Sequence, residues 1–346
     1  MFRMDSTQRP SEAVQPARFP IDFDPDTEEF LILPVTAALI DDSAFLDERL
    51  DVDRAAATRL HWQDVSCASH IPNPALLFHT AFCCSTLLAR SLQSSPRIVA
   101  IREPQALLRL AGAALLRPRS RIDGPLQAAL HLLSRPWSSG GRCLIKPTNQ
   151  ANNLLPDILR LTAGKAILLR SSLPEFVISC CKKLPAADTR VRWMAQHLLK
   201  DTRLQRELQV PWNHHFHFIE ACLLAWHAQI ERYADALAND TDDRLRSLDM
   251  QDMLDNPADV VVACADWLEL DIDAQALRER VRAEFQRNAK HPDRPFDAAR
   301  RAQERIEVMA RYSNVLEAAL AWERETIAPL ARLPIEWKPL VTGRQA

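Results

Sequence analysis

Four segments of the chain place charged or hydroxyl-bearing residues directly behind a short apolar run. Ala81-Phe82-Cys83-Cys84-Ser85-Thr86 follows Pro74-Ala75-Leu76-Leu77-Phe78-His79-Thr80. Arg102-Glu103 follows Ile98-Val99-Ala100-Ile101, Lys146 ends Arg142-Cys143-Leu144-Ile145-Lys146, and Arg170 ends Lys165-Ala166-Ile167-Leu168-Leu169-Arg170. Together these groups suit chemistry on an anionic molecule. Loop amides at a helix start donate to phosphate-like oxygens, and the hydroxyls of Ser85 and Thr86 add two donors. Arg170 can fork onto a phosphate. Ser179 and Lys183 stand four residues apart, one helical turn on the same face. Glu103 is suited to accept a proton as general base. Lys146 is suited to stabilise charge developing on a leaving group. Each also has a plainer role: Ser and Thr cap helices, and a first-turn Glu complements the helix dipole.

The elements that must position these residues read as alternating strands and helices. The four apolar runs have the length and composition of buried strands. Helices follow at 87–95, 103–116, 154–159 and 174–183, and Leu245-Arg246-Ser247-Leu248 offers one more strand. Strands separated by helices give an α/β protein, a parallel sheet covered on both faces. Its ligand is expected beyond the carboxyl ends of the strands. The second half reads as helical over roughly 189–208, 213–238, 258–269, 274–288 and 299–325. Residues 1–25, rich in Pro10, Pro16, Pro20 and Pro25, read as a mobile tail. Phe30-Leu31-Ile32-Leu33-Pro34-Val35 reads as a short strand. Residues 36–62 read as helical, with Phe45, Leu46, Leu50 and Leu60 on one face. The expected organisation is one domain over 26–340, with a sheet core at about 74–185 and a helical part at about 189–330.

Composition narrows the class. The chain has 346 residues and a formal net charge of −2, which argues against a nucleic-acid binder. It has no run of ~18 uncharged apolar residues that would span a membrane. Its first twenty residues lack the apolar core of a secretory signal, so cytoplasmic localisation with reduced thiols is expected. Only 6 glycines are present, so no glycine-rich GxxxxGK[ST] or GxGxxG phosphate loop exists. The 8 cysteines include the vicinal pairs Cys83-Cys84 and Cys180-Cys181, whose spacing is not that of a zinc site. They read as small apolar residues. His214-His215-Phe216-His217 lacks i, i+4 ligand spacing, and no metal site is expected. The basic, proline-broken segment Arg287–Arg301 reads as a solvated loop.

The strand–loop–helix Phe78-His79-Thr80-Ala81-Phe82-Cys83-Cys84-Ser85-Thr86-Leu87-Leu88 resembles the phosphosulfate loop of P-loop sulfotransferases. The order and register of four further pieces extend the resemblance over residues 74–270. Arg170, Ser179 and Lys183 resemble the family's 3′-phosphate site, with one residue inserted between Arg and Ser; the Lys183 position is similar to that of tyrosylprotein sulfotransferases. Glu103 stands near the spacing of the catalytic Glu of those enzymes, and Lys146 resembles the strand-end Lys that contacts the transferring group. The segments 248–257 and 264–270 resemble the late structural pattern of the family. The resemblance implies a donor, 3′-phosphoadenosine 5′-phosphosulfate (PAPS), leaving as PAP. It implies that Phe82, Cys83, Cys84, Ser85 and Thr86 surround its 5′ end, and that Arg170, Ser179 and Lys183 hold its 3′-phosphate. Glu103 and Lys146 would be catalytic, with no metal required. The acceptor would be a small molecule or a peptide hydroxyl or amine, and a homodimer or partner protein is compatible with the sequence.

The loop departs from the family pattern at two places. Phe82 stands where the family has Lys or Arg, and Cys84 where it has Gly. A missing cation in a closed site would cost several kcal/mol of transition-state stabilisation, and Cys84 restricts the backbone approach that Gly permits. A sulfotransferase-fold protein that only binds, or serves as a partner subunit, is therefore the alternative function.

Overall fold

The computed structural model describes residues 17–65, 71, 73–93, 95, 97–211, 213–288, 291–295 and 298–341; the side chains of 287–301 are not described. Three strands precede the main sheet: β1 (Ala17–Asp24), β2 (Glu29–Val35) and β3 (Thr58–His61), with the short helix α1 (Ala37–Asp42) between the last two. The main sheet contains β4 (Ala75–His79), β5 (Ile98–Arg102), β6 (Arg142–Lys146), β7 (Ala166–Arg170) and β8 (Leu245–Asp249). Its order is β5-β6-β4-β7-β8 and every pairing is parallel. The helices are α2 (Ser85–Leu92), α3 (Gln105–Ala113), α4 (Asp123–Leu133), α5 (Leu155–Leu161), α6 (Leu173–Cys181), α7 (Asp188–Leu199), α8 (Arg203–Leu208) and α9 (Phe218–Ala238). They are followed by α10 (Met250–Asp255), α11 (Pro257–Trp267), α12 (Ala274–Glu284) and α13 (Ala298–Trp322). None of the described helices is long and apolar enough to cross a membrane.

The strand runs are apolar at consecutive positions because both faces of the sheet are covered. Alternation assigns each side chain to a layer. Ala75 and Leu77 of β4 join Leu88, Ile167 and Val261 on one face. Leu76 and Phe78 join Ile145, Leu168, Phe176 and the buried flank of α9 on the other. The connection after β4 leads outward to the edge strand β5, whereas those after β6 and β7 lead to the opposite half of the sheet. Such a reversal opens a crevice at the carboxyl ends of the central strands.

Three expectations are corrected. Residues 17–24 are a strand, not part of a tail: Phe19, Ile21 and Phe23 are buried, and β1 pairs antiparallel with β2. The expected tail over residues 1–16 lies outside the described residues. Of the helix expected over 36–62, only α1 and a single 3-10 turn at Arg54–Ala56 form. Asp42-Ser43 and Asp51-Val52-Asp53 break it, and the chain then returns as β3 to pair with β2. The small sheet packs against α3 and α4 and shares their core. The segment expected as a solvated loop after α12 instead forms a two-stranded antiparallel ribbon, β9 (Arg287–Asn288) and β10 (His291–Pro295).

Candidate functional site

The loop between β4 and α2 adopts a left-handed turn without glycine. Ala81, Phe82 and Cys84 have φ of 66°, 52° and 59°. Non-glycine residues in that region cost on the order of 1 kcal/mol or more each, so the surroundings must enforce it. Ala81 N–H donates to His79 Nδ1 at 3.1 Å, which leaves the proton of the neutral imidazole on Nε2, 3.1 Å from the Pro147 carbonyl. The Cys83 side chain is fully buried, with its thiol toward Leu169 O at 3.9 Å. Burial pushes that thiol up to about 12, so Cys83 contributes packing and backbone. Phe82 meets Phe176 of α6 edge-on at 5.6 Å. The turn delivers the chain into α2, where Ser85 and Thr86 stand in the first turn, 6% and 4% exposed.

Glu103 follows β5 with φ of 53°. Its N–H donates to Lys146 O at 2.7 Å, and the peptides on either side are tied to Leu46, so the loop around Leu46 fixes this corner. Arg102 anchors the same loop from below, with donors on the carbonyls of Ile40, Asp41 and Ser43 and on Gln93 Oε1. Burial pushes its guanidinium down to about 10. The Lys146 side chain is fully buried and donates to Glu103 Oε1 at 2.5 Å. His79 Nε2 lies 3.8 Å from the same oxygen. A carboxylate, an ammonium and an imidazole thus converge at the ends of three neighbouring strands.

Two clefts meet at this point. One, of about 440 Å³, is lined by Phe82, Cys84, Ser85, Thr86, Ser179 and Lys183, together with Lys182, Arg190 and Arg49. The other, of about 780 Å³, runs along α3 past Leu108, Gly112 and Leu116 to Trp193 and His197 of α7. Glu103, Arg49 and Arg190 line both. A carboxylate on the border of two adjoining clefts can accept a proton from a molecule bound in either.

The structure brings together Phe82, Cys84, Ser85, Thr86, Glu103, Ser179 and Lys183 on one cleft, with Lys146 beneath them. Arg170 is not among its lining residues. Its guanidinium pairs with Asp249 of the neighbouring strand at 2.8 Å and lies 4.3 Å from the Trp337 ring centroid. Trp337 reaches it because the chain around Pro339 adds beside β8, with Leu340 N–H on Ser247 O at 2.8 Å. Sequence reasoning missed His79, Arg49 and Arg190. A polar residue ending an apolar strand was the available signal for His79. The two arginines lie in segments whose approach to the sheet is a tertiary matter.

No family model and no curated protein matches the chain. Its structure is similar to the sulfotransferase domain from the curacin biosynthetic pathway, with 12% identity over 71% of this chain and 99% of that one, at a TM-score of 0.40. It is similar to the sulfotransferase domain from the Synechococcus PCC 7002 olefin synthase, with 16% identity over 71% and 97%, at 0.38. It is similar to a sulfotransferase from Alicyclobacillus acidocaldarius, with 15% identity over 61% and 89%, at 0.37. At such low identity and superposition the likeness assigns no residue and no activity.

Proposed function

We propose that this protein transfers a sulfuryl group from PAPS to a hydroxyl or amine of an acceptor. The observation that carries the reading is the Glu103–Lys146 pair at the junction of two clefts, one of them bordered by an anion-suited loop and helix start. Left-handed turns of this kind turn successive amides toward a common point and favour anions, and the start of α2 adds unpaired donors. The smaller cleft has the volume of a ligand site and counts four cations against one carboxylate among its lining residues.

In this reading the 5′-phosphosulfate lies against residues 82–86, with Ser85 and Thr86 donating to it. Ser179 and Arg190 hold the 3′-phosphate side, and Lys183, over the Phe82 ring, supplies the cation on the loop side. Arg170 joins them only by exchanging Asp249 for phosphate. The acceptor occupies the cleft along α3. Glu103 accepts the proton of the acceptor hydroxyl or amine as that atom bonds to sulfur. The sulfur–oxygen bond to the donor's 5′-phosphate breaks, and PAP leaves with the electron pair. Lys146 holds Glu103 Oε1, which orients the base, and its charge offsets the negative charge that develops nearby.

The test is calorimetric titration with PAP, with ATP as control. Binding of PAP at least about tenfold tighter than ATP, a difference of ~1.4 kcal/mol, supports the reading. Absence of PAP binding refutes it and favours the alternative, a protein of similar fold that acts as a partner subunit. The engagement of Arg170 by Asp249 and Trp337 is the observation on that side.

A further inference from the structure

The loop 81–86 contains no Lys or Arg, yet a cation stands beside it. Lys183 Nζ lies 4.3 Å from the centroid of the Phe82 ring. That is within the range over which an ammonium is attracted to an aromatic face. Both residues line the cleft that Ser85 and Thr86 border. The ring is fixed from behind, since Phe82 meets the fully buried Phe176 edge-on at 5.6 Å and 63°. The backbone of Lys183 is fixed as well, because its N–H donates to Cys180 O at 3.1 Å just past the end of α6. The adjacent Lys182 is drawn to Glu304 of α13.

We propose that Phe82 is a positioning residue: its ring holds the Lys183 ammonium over the loop, so that the cation for the bound anion comes from the end of α6. This explains how a loop without a basic residue serves an anionic ligand, and it rests on the reading of the cleft as a PAPS site. An aliphatic side chain of similar bulk would fill the space without attracting the ammonium. A basic residue at position 82 would make Lys183 dispensable.

The experiment titrates PAP into the full chain and four variants. Lys183→Met should weaken binding about tenfold, as expected for loss of a charged donor, and Phe82→Leu about two- to fivefold. Phe82→Tyr should bind as the parent does. Because Phe82 acts through Lys183, Phe82→Leu combined with Lys183→Met should be no weaker than Lys183→Met alone. Full additivity of the two losses, or unchanged affinity in Phe82→Leu, overturns the proposal. If the parent chain does not bind PAP, the sulfotransferase reading fails, and the positioning claim is decided by NMR of ¹³C-labelled lysine. An upfield ring-current shift of the Lys183 ε-methylene that disappears in Phe82→Leu upholds it; its absence in the parent overturns it.

Discussion

Removing the Lys146 ammonium should expose how tightly the centre of the site is held. The Lys146 side chain is 0% exposed and that of Glu103 9%, with 2.5 Å between the charged atoms. Breaking a buried pair by deleting one partner costs about 3–5 kcal/mol, because the remaining charge is left without compensation. Glu103 borders the clefts and water can approach it, so Lys146→Met is expected near the lower end, about 3 kcal/mol. Glu103→Gln keeps an acceptor for the ammonium and should cost less, about 1–2 kcal/mol. The double variant buries no unpaired charge. It should be more stable than Lys146→Met by about 1–2 kcal/mol, giving a coupling energy of about 2–4 kcal/mol. Urea unfolding followed by circular dichroism measures these differences, provided the slope of free energy against urea is unchanged across the set. Lys146→Met within about 1 kcal/mol of the parent, or a double variant that simply sums the singles, would refute the buried pair. Glu103→Gln adds a functional arm: it should keep PAP binding and lose turnover, and a fully active variant would place the base elsewhere.

Arg170→Ala should weaken PAP binding less than Arg190→Ala does, since Arg170 is engaged by Asp249 and Trp337 outside the cleft lining; the reverse order in calorimetry would mean that Arg170 changes partner on binding. Gly112→Ala should raise stability by about 0.5 kcal/mol through helix propensity, because a Cβ there meets nothing within 4 Å; a lower urea midpoint would show that the glycine is structurally required. His197 is held neutral by burial, which pushes it down to about 4 from 6.5, opposed by its hydrogen bond to Trp193. Its folded value lies below the unfolded one, so its contribution is intact above about pH 6.5 and is lost as pH falls towards 4. That loss amounts to up to about 3 kcal/mol. His197→Gln should flatten the urea midpoint between pH 4 and 7, and an unchanged slope would show that His197 is not the group responsible.

The sequence by itself determined the parallel sheet. Its strands are short runs apolar at every position, such as Leu76-Leu77-Phe78 and Ile167-Leu168-Leu169, which only a strand buried on both faces requires. It also placed Glu103, Lys146, Ser85 and Thr86 at one end of the sheet, because strand ends and helix starts gather there by chain position alone. β1 was legible in principle from Phe19, Ile21 and Phe23 at every second position, but Pro16, Pro20 and Pro25 obscured it. Its pairing with β2 also depends on covering α3 and α4. Helical spacing over 36–62 misled because apolar residues in an irregular segment can mimic a period while still packing inward, as Leu46 and Leu50 do. Only the tertiary structure decided which cations face the cleft. Arg170 was legible as a strand end, but its charge is taken up by Asp249 in register on β8 and by Trp337 from the far end of the chain. Lys183 was read as a helix residue but stands just past the end of α6, with its ammonium over Phe82, distant in sequence. Long flexible side chains choose among partners that folding brings near, and that choice is set by the local field and packing rather than by neighbours along the chain.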